Sequence, residues 1–137
     1  MKGMEDNRDD MIVIAAGYPE LMKEFLNSNP GLLSRFTKTL YFPDYSMEEL
    51  GQIFIKMCED NSIAFDNNVM KEAQKYFDAE VSYKADNFGN ARMVRNFFET
   101  ILFNQANRLV LERTITDGML QCIVVEDVPI KKSMDKK

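Results

Sequence analysis

The chain contains no histidine. That absence removes Ser-His-Asp and Cys-His catalysis, and every histidine-based metal site, from its own repertoire. There are two cysteines, Cys58 and Cys122, far apart and in no CxxC arrangement, which argues against a disulfide framework or a zinc site. The longest apolar run, Met11 to Gly17, is too short to span a membrane. No secretory signal is recognisable, so a reducing cytoplasm is the expected compartment. Basic charge is also short: 17 Lys and Arg stand against 22 Asp and Glu, a net charge of -5. A nucleic-acid-coating surface needs the opposite balance. A phosphate-cradling GxxxxGK[ST] loop is missing, and so is an apolar strand ending in adjacent acids that would hold magnesium.

What is present suits a soluble globular chain of 137 residues, 45% hydrophobic and 28% charged. Met11 to Ala16 is continuously apolar and rich in β-branched residues, the pattern of a strand buried on both faces of a parallel sheet. Pro19 suits the first turn of a short helix, Glu20 to Leu26, which Asn27 to Gly31 then breaks. Thr37 to Phe42 reads as a second strand, closed by Pro43-Asp44. Strand, helix and strand in this order suggest a parallel pair inside a larger α/β sheet.

From Ser46 the texture becomes helical. Ser46 and Glu49 make a capping box, and Leu50, Ile53, Phe54 and Met57 follow at helical spacing. Asp66 is placed to cap a helix whose inner face is Val69, Met70, Ala73, Tyr76 and Phe77. Ser82 to Phe88 reads as a polar loop. A long helix is expected from about Asn90 to Arg113 with Val94, Phe97, Phe98, Ile101, Leu102, Ala106 and Leu109 as its stripe. Beyond Asp117 two readings stand: Gln121 to Val125 is β-like, and Met119-Leu120 can start a short helix. Phe54, Phe77, Phe97 and Phe98 are read as core, and Cys58 as a small hydrophobe on the helix. The acidic group Glu5, Asp6, Asp9 and Asp10 is read as a solvated helix end, not a magnesium site. Lys131-Lys132 and Lys136-Lys137 are read as a solvated tail.

Two arginines stand out. Arg35, between Pro30-Gly31 and the second expected strand, falls at a sheet end. A guanidinium there offers planar donors to phosphate oxygens, even those held by a neighbouring subunit. Arg92 falls in the first turn of the long helix, just after Gly89-Asn90. An arginine at that positive helix end is unfavourable unless an anion lies near. Tyr18 follows the first expected strand, at the edge where open α/β sheets gather ligands. Taken singly, each of these residues fits an ordinary surface or packing role as well.

Their order carries more. Glu5 to Asp10, Ala16-Gly17-Tyr18-Pro19, Phe25 to Leu32, Ser34-Arg35-Phe36, Phe42 to Ser46 and Asn87 to Asn96 follow one another as six motifs. From Lys2 to about Leu111 the chain resembles the C-terminal part of AAA+ ATPases of the CbbX / stage V sporulation protein K family. The resemblance implies an α/β piece of the AAA+ core at residues 1–44, with parallel strands, followed by a mainly helical lid domain at 45–137. It implies that Arg35 is an arginine finger acting on the nucleotide of the next subunit. It implies that Arg92 is the sensor 2 arginine on the lid, with Gly89 and Asn90 beside it. Tyr18 holds the sensor 1 position, where many AAA+ proteins have Asn.

Further expectations follow from the resemblance. The parent protein would bind ATP and magnesium through motifs upstream of Met1, and would remodel a protein substrate as a homo-oligomeric ring. One branch of the family reactivates inhibited Rubisco and another is linked to sporulation. Met1 would replace an upstream residue in a fragment, or mark a split gene. This chain alone is expected to bind no nucleotide or metal and to hydrolyse no ATP. It is expected to self-associate through exposed core strands, or to leave Met1 to Phe36 partly disordered. An alternative is a non-catalytic helical adaptor with the lid fold. A DNA-binding domain is disfavoured by the acidic charge.

Overall fold

The computed structural model describes residues 12–83 and 89–130. The acidic group at Glu5 to Asp10, the lysine tail and most of the Ser82 to Phe88 loop lie outside those residues. The chain divides into two units, Met1–Pro43 and Asp44–Lys137.

In the first unit, Pro19 opens α1 (Pro19–Asn27) and Pro30 opens α2 (Pro30–Arg35). Proline is suited to a first helical turn because the N–H it lacks would have no partner there. Ser28 closes α1, its hydroxyl donating to the Phe25 carbonyl at 2.7 Å. The Asn29 side chain caps α2 by accepting from the Gly31 N–H at 2.9 Å. The expected turn at Pro30-Gly31 is therefore the start of a helix. Phe25 of α1 meets Phe36, the residue after α2, edge to face with centroids 6.3 Å apart. Among the described residues of this unit, Leu32 is the buried hydrophobic one.

The strand-helix-strand expectation is corrected on its strands. Among the described residues no strand forms: 12–18 and 36–46 have no regular secondary structure. Their apolar side chains face solvent, with Ile12 90%, Ile14 87% and Phe42 83% exposed. The physical reason is pairing. A strand's N–H and C=O groups need a ladder, and the described residues offer these segments none.

The second unit is helical. Ser46 caps α3 (Met47–Asp60) in a complete capping box. The Glu49 N–H donates to the Ser46 hydroxyl at 3.2 Å, and the Ser46 N–H donates to the Glu49 carboxylate at 2.7 Å. Asp66 caps α4 (Asn67–Ser82), accepting from the Asn68 and Val69 N–H groups at 2.9 Å each. The long helix α5 (Ala91–Val110) ends three residues before the expected Arg113. Then come the single turn α6 (Asp117–Leu120) and a 3₁₀ turn, Val125–Asp127. Both readings of the C-terminal region hold in part: Met119-Leu120 is helical, and Cys122 forms an isolated parallel bridge with Ala64.

Phe54 is the centre of the core. It is fully buried, and the rings of Phe65, Phe77, Phe97 and Phe98 lie 5.5 to 6.4 Å from it. Leu50, Val69, Ala73, Val94, Ile101 and Ile123 complete the same cluster. Cys58 is buried within it, and loss of hydration pushes its thiol up to about 12, so it remains a protonated packing group.

Candidate functional site

Three of the expected site residues gather at the start of α5: Gly89 and Asn90 just before it and Arg92 in its first turn. The Gly89 carbonyl accepts from the Arg92 N–H at 2.8 Å, which winds the chain into the helix. Asn90 stands at φ 47 and ψ -126, outside the usual range of an L-residue. Its side chain does not cap α5. Instead its carbonyl oxygen accepts from the Tyr45 N–H at 2.9 Å, and its amide nitrogen donates to the Asp44 carboxylate.

Two residues further on, Arg92 is exposed, and none of the described residues pairs with it. Helical spacing explains its exposure. Met93, Val94, Phe97 and Phe98 turn into the core, which leaves Arg92, Arg95, Asn96 and Glu99 on the outer face. The first turn contains no acidic residue. Among the described residues Arg92 therefore sits uncompensated at the positive end of its helix, an arrangement a phosphate would relieve.

Arg35 and Tyr18 belong to the first unit. Arg35 is the last residue of α2, half-buried, at the negative end that favours a cation. Its Nη1 donates to the Gly31 carbonyl one turn back, at 3.0 Å. Tyr18 precedes α1, and its carbonyl accepts from the Met22 N–H at 2.9 Å. Its side chain is 62% exposed. The structure thus brings together Gly89, Asn90 and Arg92 in one unit and places Tyr18 and Arg35 in the other.

Among the described residues there is no group of three or more metal-ligating side chains, and no helix long and apolar enough to cross a membrane. A hollow of about 420 Å³ lies between α4 and the C-terminal segment, lined in part by Lys75, Tyr76, Val125 and Ile130. It contains none of the expected site residues.

Elsewhere, electrostatics serve the fold. The two N–H groups at the start of α4, Val69 first, hold the Asp66 carboxyl below the usual carboxylate range. Asp60 raises the Lys56 ammonium through an exposed hydrogen bond at 2.7 Å.

Sequence reasoning missed the polar set on the far half of α5. Arg108 donates to Asp127 through Nε at 2.8 Å and Nη2 at 3.0 Å. That bond raises the arginine further above its ordinary value. Asn104 donates to the Asp127 carbonyl at 2.9 Å. The Gln105 amide reaches the carbonyls of Met119, Leu120 and Cys122 at 3.2, 3.0 and 2.8 Å. The available signal was Asn, Gln and Arg at 104, 105 and 108, neighbours on a helix that is apolar around them.

The AAA lid domain family matches residues 46–137. The chain is 39% identical over 137 residues to a CfxQ homolog of Galdieria sulphuraria, covering 97% of this chain and 44% of that protein. It is 41% identical over 108 residues to CbbX of Cereibacter sphaeroides, covering 77% of this chain and 34% of that protein. It is 36% identical over 129 residues to the chloroplastic ribulose bisphosphate carboxylase/oxygenase activase of Cyanidioschyzon merolae, covering 91% and 43%. The chain spans less than half the length of each of these relatives. A helical unit that closes its own core over the matched residues, in a chain similar along most of its length to CbbX and CfxQ proteins, belongs to the AAA lid domain family of AAA+ proteins.

Proposed function

We propose that this chain supplies the nucleotide-sensing part of a ring-forming AAA+ ATPase that remodels proteins. The observation that carries this is Arg92: exposed, unpaired among the described residues, and held in the first turn of the longest lid helix, where an anion would stabilise it. In this reading Arg92 contacts the ATP phosphates bound by its own subunit. Gly89 lies beside that contact. Arg35 serves as the finger that reaches the nucleotide of the neighbouring subunit, where it stabilises charge on the transferred phosphoryl group. The position of Tyr18 corresponds to sensor 1.

The described residues fit one edge of a nucleotide and no more of it. They supply a guanidinium for phosphate, and no cluster of carboxylates for magnesium. ATP and magnesium would be held by a phosphate loop and acidic strand that this sequence lacks. Residues 12–16 and 37–42 would pair as strands within that core. In this chain alone their apolar side chains favour self-association. Rotation of the lid against the core would turn hydrolysis into movement. The similarity to a Rubisco activase favours a remodelling substrate of that class over a sporulation role.

The test has two arms. The purified chain should show no ATP turnover, and metal-dependent hydrolysis by it would overturn the reading. In a polypeptide joining this chain to a phosphate-loop half, Arg35→Ala should lower turnover by roughly 10³-fold or more. Arg92→Ala should lower turnover or nucleotide affinity with the far-UV spectrum unchanged. Unaltered kinetics in both variants would refute the assignment.

A further inference from the structure

The geometry points to Asn90 as a positioning residue: its side chain clasps the chain entering the lid and so sets the direction of α5 and of Arg92. This inference rests on the phosphate-contacting role proposed for Arg92 and concerns how that side chain is aimed.

Three observations converge. Asn90 immediately precedes α5, and Arg92 follows two residues later. Its side chain bonds at both ends to residues some 45 positions away in sequence. The carbonyl oxygen accepts from the Tyr45 N–H, and the amide donates to the Asp44 carboxylate. Asp44 is the first residue of the second unit, so the clasp grips the chain where it enters the lid. Finally, Asn90 holds φ 47 and ψ -126, a conformation that glycine adopts readily and other residues only at a cost. Asparagine is among the few side chains that visit positive φ.

Backbone preference alone would place a second glycine after Gly89. What asparagine adds is an acceptor and a donor on one planar group, and both are used. Aspartate would set a carboxylate against Asp44, and alanine would keep the strain without the bonds. The clasp ties two segments that α3 and α4 separate along the chain. A displacement of Asp44-Tyr45 is therefore passed directly to the N-terminus of α5. Arg92 lies within that first turn, so its reach toward a phosphate is fixed by the same contact.

The first measurement is amide exchange at Tyr45 in the 137-residue chain, followed by NMR. Asn90→Gly keeps the backbone conformation and removes both bonds. The Tyr45 amide should then exchange about five- to tenfold faster, with helix content unchanged. Asn90→Asp should do the same through repulsion. The double variant Asn90→Asp with Asp44→Asn exchanges donor and acceptor across the pair and should restore protection. An unchanged Tyr45 amide in Asn90→Gly, or no recovery in the double variant, overturns the clasp. Asp44→Ala gives the same reading if the glycine variant loses helix.

The second measurement is turnover in the polypeptide that adds a phosphate-loop half. Asn90→Gly should lower turnover at a temperature where far-UV circular dichroism shows the lid still fully folded, which a merely destabilised lid would not do, and the double variant should recover it. If Arg92→Ala lowers turnover and Asn90→Gly leaves it intact, the positioning role is refuted and the reading of Arg92 survives. If Arg92→Ala has no effect, that reading fails and the positioning role with it, while the exchange data still decide whether the clasp exists.

Discussion

Arg108→Ala should be among the most damaging single changes in the helical unit. The Asp127 carboxylate is 1% exposed and the Arg108 side chain 28% exposed. Both carboxylate oxygens are bound by the guanidinium, and one also accepts from the Val124 N–H at 3.0 Å. Truncating the arginine leaves a buried anion with one backbone donor. Removing one partner of a buried pair costs ~3–5 kcal/mol. Arg108 retains contact with water, which lets solvent reach part of the vacated space and argues for the lower end, about 3 kcal/mol. For a unit of this size each kcal/mol lowers Tm by ~4–8 °C, so a fall of about 15 °C is expected. Far-UV circular dichroism during urea and thermal unfolding reads both quantities. Because the pair is mostly buried, the loss should persist at 1 M salt, where surface pairs are screened. A loss below about 0.5 kcal/mol, or one abolished by salt, would show that the pair behaves as a surface contact and would refute the reasoning.

Three further outcomes are expected. Gln105→Leu keeps much of the side-chain volume and strips donors from the Met119, Leu120 and Cys122 carbonyls; it should cost about 2 kcal/mol in urea unfolding, with exchange quickened first in the segment after α6. Phe54→Ala should open a cavity at the centre of the four surrounding rings and cost ~3–5 kcal/mol by the same assay. Asp66 has a folded-state carboxyl pKa below its unfolded value; its contribution is therefore complete above the unfolded value, near 4, and is lost as pH falls through the lower folded value. The stability difference between the protein and Asp66→Ala should accordingly shrink toward zero in acid, and a difference that held constant down to pH 2 would contradict the cap.

Helices α3 and α4 were legible because their signals are local. A capping box or an N-cap aspartate acts within four residues, and the apolar stripes behind them repeat at helical spacing. The burial of Phe54, Phe77, Phe97 and Phe98 followed from the same stripes. The apolar runs at 12–16 and 37–42 misled, because strand character is conferred by a partner. Val, Ile and Thr make a segment suitable for a ladder without supplying the other half of it. Asn29 belongs to a run of helix breakers, yet with a proline after it the same residue is a cap that starts the next helix. Position along the chain was enough to place Arg92 in a first helical turn. It gave no sign that Asn90, two residues earlier, reaches back to Asp44 and Tyr45. Contacts between residues so far apart leave no periodic trace.

The polar contacts of α5 suggest how its two ends divide their work. At the far end Asn104, Gln105 and Arg108 bind the C-terminal segment through side chains that are wholly or largely buried. At the near end Asn90 makes its bonds at an exposed edge, on a backbone held outside the common conformations. Burial raises the penalty for leaving a polar group unpaired, so the far end should open only with the unit as a whole. An exposed pair can exchange its partners for water at little loss, so the near end is the part able to shift while the core stays closed. The sensing role proposed for Arg92 needs this asymmetry. If both ends were buried, Arg92 would be fixed whatever the entering chain did; if both were exposed, movement of Asp44 would be dissipated within the helix. Anchored at Arg108 and clasped at Asn90, α5 can pass a displacement at the lid's entrance to Arg92 without loss of its fold.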